Sequence, residues 1–165
     1  MAEAGESWRG WLEEHGRALV LLARQWVPTH ADAEDVVQEA FVRCWRSRDR
    51  AREPVPYLFA SVRRCALDWQ RSRQRQARRE QAAARPEVEP LLASGVEQDE
   101  RRQAIEAALR ELPIEQAEVL VMRIWGGLSV PQIAAALEAP VNTVASRYRY
   151  ALARLREQLA EESIR

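Results

Sequence analysis

The stretch SVPQIAAALEAPVNTVASR, residues 129–147, decides the fold. Ser129 followed three positions later by Gln132 matches a capping box, in which the serine oxygen takes a backbone N–H and the glutamine reaches back to the cap. Ile133, Ala134 and Leu137 then recur at helical spacing, and Glu138, Ala139 and Pro140 interrupt the run. Val144, Tyr148, Ala151, Leu152, Leu155 and Leu159 mark the buried side of a longer second helix. A short helix, a three-residue break and a longer helix is the helix-turn-helix layout.

Near its start, that second helix offers Asn142, Thr143, Ser146, Arg147 and Arg149, with Tyr150 just beyond and Tyr148 assigned to the core. Small polar groups and arginines at a helix N-terminal end are what docking in a DNA groove requires, because they reach base edges and phosphates. A merely solvated helix carries the same residue types. The preceding short helix and turn distinguish the two cases and favour DNA. Glu138 stands where such turns often carry glycine, a position at which φ can be positive, so a strained or differently shaped turn is expected.

Upstream of the motif, Ile105, Ala108, Leu109 and Leu112 predict a helix ended by Pro113. Ala117, Leu120, Val121 and Ile124 predict another, stopped by Gly126 and Gly127. At the far N-terminal end, Trp8, Trp11, Leu12, His15, Leu19, Leu22, Ala23 and Trp26 predict a helix over Ser7–Trp26 that Pro28 stops. Asp32 is the predicted N-cap of the next run, Val36, Val37, Ala40, Phe41, Cys44 and Trp45. Pro54 and Pro56 open a third helix after a polar loop, with Leu58, Val62, Cys65, Ala66 and Trp69 as its buried stripe. Glycine is sparse, alanine, leucine, arginine and glutamate dominate, and no stretch alternates as a strand, so the fold class is all-α.

Charge adds an organisation that the zero net charge conceals. Residues 61–79 hold seven arginines against the single acid Asp68, and residues 139–156 hold four arginines and no acid. Between them Glu80, Glu87, Glu89, Glu97, Asp99 and Glu100 face only Arg85, and Pro86, Pro90, Ser94 and Gly95 break any periodicity. The expected domains are therefore 1–79 and 101–165, joined by an acidic linker over 80–100. In the first domain Arg63, Arg64, Arg71, Arg73, Arg75, Arg78 and Arg79 surround Trp69, with Tyr57 and Phe59 upstream. Arginines neutralise phosphates and aromatic faces stack on unpaired bases, which suits a strand leaving its duplex. Trp69 and Phe59 are nevertheless assigned to the core.

Three blocks in fixed order resemble the extracytoplasmic-function (ECF) sigma factors, members of the RNA polymerase sigma factor family. AEDVVQEAF, residues 33–41, through Trp45 looks like their polymerase-binding segment. Val62 to Arg73, centred on Ala66-Leu67-Asp68-Trp69, is similar to their promoter-melting helix. Leu112-Pro113, Leu128-Ser129, Ile133-Ala134 and the run Pro140 to Arg147 are similar to their C-terminal helix-turn-helix. The resemblance implies a region 2-like bundle and a region 4-like helix-turn-helix domain. Asp35, Gln38, Glu39 and Trp45 would meet the β′ clamp helices of core RNA polymerase. Arg63, Arg64, Trp69, Arg71 and Arg73 would contact and open the −10 element of promoter DNA, and Asn142, Thr143, Ser146, Arg147 and Arg149 would read the −35 element. The implied partners also include the β flap and an anti-sigma factor, and the linker would lie near the RNA path. Four positions depart from the family pattern: Arg64 for asparagine, Gln132 for glutamate, Glu138 for glycine and Ala145 for lysine.

Other classes fit less well. His15 and His30 are far apart, no phosphate loop, metal-ligand spacing or nucleophile motif is present, and neither catalysis nor a cofactor or metal is expected. The apolar run Ala18–Ala23 is far short of the ~20 residues a bilayer demands. Glu3 and Glu6 replace the basic start of an export signal, and Cys44 and Cys65 lack disulfide-framework spacing, so a reducing cytoplasm is the expected location. The alternative is a stand-alone helix-turn-helix regulator whose first domain senses or dimerises. Against it stands the arginine-rich last helix of that domain, which a sensor does not need.

Overall fold

The computed structural model describes residues 2–80 and 100–164, which contain seven α-helices, one 3₁₀ turn and no strand. The chain divides into two compact units, Met1–Glu89 and Pro90–Arg165. The expected linker, 80–100, lies outside the described residues except at its ends, where Glu80 closes one helix and Glu100 opens the next.

Unit 1 consists of α1 (Ala2–Ala23), α2 (His30–Ser47), a 3₁₀ turn (Arg48–Arg50) and α3 (Pro54–Glu80). Helices α2 and α3 pack against each other, and α1 lies against both. Leu19 and Leu22 of α1, Val36 of α2 and Leu58, Phe59 and Val62 of α3 are fully buried at their junction. Each is worth about 1.5–3 kcal/mol of apolar burial. His15, edge-on to Phe59 with ring centroids 5.9 Å apart, is a packed histidine.

Three expectations change here. Helix α1 ends at Ala23, five residues short of Pro28, because the Arg24 guanidinium folds back to donate to the Val27 carbonyl at 3.0 Å and supports a turn. Asp32 is not the cap of α2. Thr29 precedes the helix, its Oγ1 accepting the Asp32 N–H at 3.1 Å and donating to Asp32 Oδ2 at 2.7 Å. Leu12 falls on the outer side of α1, 47% exposed, because the helices packed on α1 cover only its opposite side.

Unit 2 consists of α4 (Glu100–Glu111), α5 (Ile114–Ile124), α6 (Val130–Leu137) and α7 (Val141–Ser163). Helices α4, α5 and α6 all pack on α7, so one long helix organises the unit. Leu109, Leu120, Met122, Leu128, Ile133 and Val144 are fully buried. Ile124 is a further correction: it is 46% exposed, on the same outer side as its exposed neighbour Arg123.

The capping box forms. Ser129 Oγ accepts the Gln132 N–H at 3.3 Å, and Gln132 Oε1 accepts the Ser129 N–H at 2.9 Å. Glutamine thus performs the cap that glutamate performs elsewhere. Glu138 adopts the left-handed conformation, φ 51° and ψ 42°, and closes α6 with its N–H on the Ala134 and Ala135 carbonyls. The turn keeps the glycine-type shape although its residue carries a Cβ. The left-handed region costs a side chain about 1–2 kcal/mol, partly offset by the extra freedom of glycine when unfolded. Glu138→Gly should therefore raise the stability of unit 2 by about 0.5–1 kcal/mol. Thermal or urea unfolding of the two proteins checks this, and an unchanged or lower midpoint contradicts it.

Candidate nucleic-acid interfaces

On α7, 3.6 residues per turn place Asn142, Ala145, Ser146, Arg149 and Ala153 along the side opposite the buried Val144, Ala151 and Leu155. Asn142 and Arg149 are exposed and Ser146 is half-buried. Thr143 and Arg147, four residues apart, are half-buried. Tyr150 is 59% exposed, with the Arg149 guanidinium 5.5 Å from its ring centre. Asn142, Ser146 and Arg149 therefore form a central row on the exposed side, while Thr143 lies on its flank and Arg147 farther round toward the buried side. Tyr148, assigned to the core, is only half-buried. The start of α7 is held in place through α6 and its turn, and Arg123 of α5 donates to the Leu128 carbonyl at 3.0 Å just before the motif.

On α3, the last buried residue is Ala66, and residues 71–80 are all exposed. Trp69 was assigned to the core but is only half-buried, because α3 continues past the helices that could cover it. Its ring is partly covered instead by Arg73, whose guanidinium lies 5.4 Å from the ring centre. Arg63 is half-buried over the Trp26 ring at 5.7 Å. Arg64 and Arg71 are exposed. Phe59 is in the core, as assigned, and Tyr57 is half-buried.

On α2, Asp35, Gln38 and Glu39 are exposed at spacings of three and one, which places them together on the outer face. Trp45 is half-buried. Val42 shares this face, one turn beyond Gln38, and is 50% exposed. Sequence reading missed it, although its register was the signal: it lies between the buried Phe41 and Cys44 positions and cannot join their stripe.

Among the described residues, no group of three or more His, Cys, Asp or Glu side chains could hold a metal ion. Cys44 and Cys65 are free, and burial pushes both thiols up from their ordinary range, away from the reactive thiolate. No described helix is long and apolar enough to cross a membrane.

Comparison with known proteins gives a consistent picture. Residues 11–76 match the sigma-70 region 2 family, and residues 102–155 match sigma-70, region 4. The chain is 31% identical to an RNA polymerase sigma-E factor of Streptomyces coelicolor over 150 residues, covering 89% of this chain and 82% of that one. It is 32% identical over 166 residues to the ECF RNA polymerase sigma factor SigL of Mycobacterium tuberculosis, covering 93% and 89%. Among solved structures, it is similar to the sigma factor RpoE in complex with the anti-sigma factor NepR from Bartonella quintana. That match has TM-score 0.71 and 23% identity over 94% of this chain and 98% of that one. It is also similar to CnrH in complex with the cytosolic domain of CnrY, with TM-score 0.63 and 28% identity over 95% and 90%.

Proposed function

This chain belongs to the ECF sigma factors of the sigma-70 family, and from that premise we propose how its residues divide the work of transcription initiation. As an RNA polymerase sigma factor it brings the polymerase to promoters. In our reading residues 1–79 bind the polymerase and the −10 element, and residues 101–165 bind the −35 element. The carrying observation is that one chain presents both an arginine-rich helix with a half-buried tryptophan and a capped helix-turn-helix with a polar face. A stand-alone regulator uses the second feature and has no use for the first.

Asp35, Gln38, Glu39, Val42 and Trp45 form the surface for the β′ clamp helices. Arg63, Arg64, Trp69, Arg71 and Arg73 hold the −10 element. Trp69 supplies a stacking face worth about 1–3 kcal/mol per base, and the arginines neutralise phosphate. Asn142, Thr143, Ser146, Arg147 and Arg149 read the −35 element in the major groove. The solved relatives bound to NepR and to CnrY support an anti-sigma partner here as well.

Transcription by reconstituted holoenzyme on a random promoter library tests this reading. Recovery of promoters sharing two motifs at fixed spacing supports it, and failure to stimulate promoter-specific transcription overturns it. The clamp assignment has its own test. Glu39 pairs with Arg43, one turn away, in an exposed ion pair worth at most about 0.5 kcal/mol to the fold. Replacing Gln38 and Glu39 together by alanine should thus leave melting unchanged and weaken core polymerase binding about tenfold or more. Core affinity equal to wild type would remove these residues from the interface.

A further inference from the structure

The residues assigned above to the reading of DNA by α7 are all polar, yet the first residue of that helix is not. Val141 opens α7 and is 48% exposed. Residues at the N-terminal end of a recognition helix are the ones that reach base edges. Helix propensity does not account for a valine at an exposed position, because its branched side chain loses rotamer freedom in a helix.

Ala145, one turn on, is exposed as well. Val141, Ala145 and Arg149 repeat every four residues, so they drift by only about 40° per step and form a line about 12 Å long beside Asn142. At about 3.4 Å per base pair, such a line passes about three base-pair steps. A single exposed valine is ordinary on a protein surface. Two apolar residues in line with an exposed arginine, beside the polar row, have a specific chemical match. Neither carries a side-chain donor or acceptor, so neither can answer the oxygens and nitrogens of the base edges. The one apolar group on those edges in the major groove is the C5-methyl of thymine.

We propose that Val141 and Ala145 form an apolar seat for a C5-methyl group in the −35 element, next to the base pair that Arg149 meets. The seat reads the methyl and not the hydrogen-bonding edge. It therefore serves thymine and 5-methylcytosine alike, which carry the same methyl on the same ring carbon, and gains nothing from uracil or unmodified cytosine. Cytosine methylation at that position then strengthens promoter binding. This inference rests on the −35 reading of α7 and adds to it two residues and the chemical group they take.

The test uses the full chain in holoenzyme and a duplex probe that spans the −35 element of a promoter wild-type holoenzyme transcribes. Each thymine of the element, on either strand, is replaced in turn by deoxyuridine, which removes the methyl and keeps the base pair. At one position, or at two adjacent ones, wild-type affinity should fall about fourfold, the worth of one buried carbon. Val141→Ser, a change at an exposed site that the fold tolerates, should bind the thymine and uracil probes equally there. Val141→Ile keeps the apolar contact and should keep the difference. With a C·G pair placed at the same position, C5 methylation of the cytosine should strengthen wild-type binding about fourfold and leave Val141→Ser unmoved. An element with no uracil-sensitive position, equal sensitivity in Val141→Ser, or a methylated cytosine that gains nothing overturns the methyl seat. Wild-type holoenzyme whose transcription depends on no −35 element overturns instead the reading beneath it.

Discussion

Phe59→Ala should lower the melting transition of the first unit sharply and leave that of the second unchanged. Phe59 is wholly buried on α3, where α1 and α2 close over it and His15 meets its ring edge-on. Removing the ring loses its transfer free energy and leaves a cavity that helices fixed by Leu19, Leu22 and Val62 cannot fill. The expected cost is about 3–5 kcal/mol, against about 5–15 kcal/mol for the whole stability of a domain. For a unit of this size each kcal/mol moves the midpoint by about 4–8 °C, so the first transition should fall by about 12 °C or more. The second unit has its own core around Leu109, Leu120, Met122 and Ile133, and its transition should not move. Calorimetry resolves the two transitions. A single transition shifting as one would show that the units do not melt separately. Polymerase binding should fail at the temperature where the first unit melts, because the α2 face is only as stable as the helices under it.

Local signals explain what the sequence made legible. The helix-turn-helix was readable because each of its parts is specified within a few residues: Ser129 and Gln132 cap one helix, and Glu138 to Pro140 interrupt it. The shape of the turn was not readable. Glutamate has no preference for φ 51°, and the conformation is imposed by α6 and α7 having to pack. Thr29 and Asp32 are both good caps three residues apart, and only the hydrogen bonds decide between them. Leu12 and Trp69 mark two limits of periodicity: it does not tell which side of α1 its neighbours cover, nor how far along α3 they reach.

The reading face of α7 bears the second large effect. Asn142, Ser146 and Arg149 form the central row, about 10.5 Å from end to end, while Thr143 and Arg147 lie half-buried on the flank. A side chain in the middle of the exposed face enters the groove most directly, and an arginine there can grip a guanine through both O6 and N7. Arg149→Ala should therefore cost about 1–3 kcal/mol, or roughly 5- to 150-fold, on the preferred −35 element, with preference relaxed at one base pair. Arg147→Ala, on the flank, should cost less and act evenly across sequences, as a phosphate contact does. Arg149→Lys separates charge from geometry. Lysine keeps the phosphate attraction and loses the planar fork, so it should fail to restore discrimination if a base edge is read. Selection of −35 variants by holoenzymes carrying each substitution measures all three at once. If lysine restores wild-type preference, Arg149 holds the backbone, and base reading passes to Asn142 and Ser146, the other members of the central row.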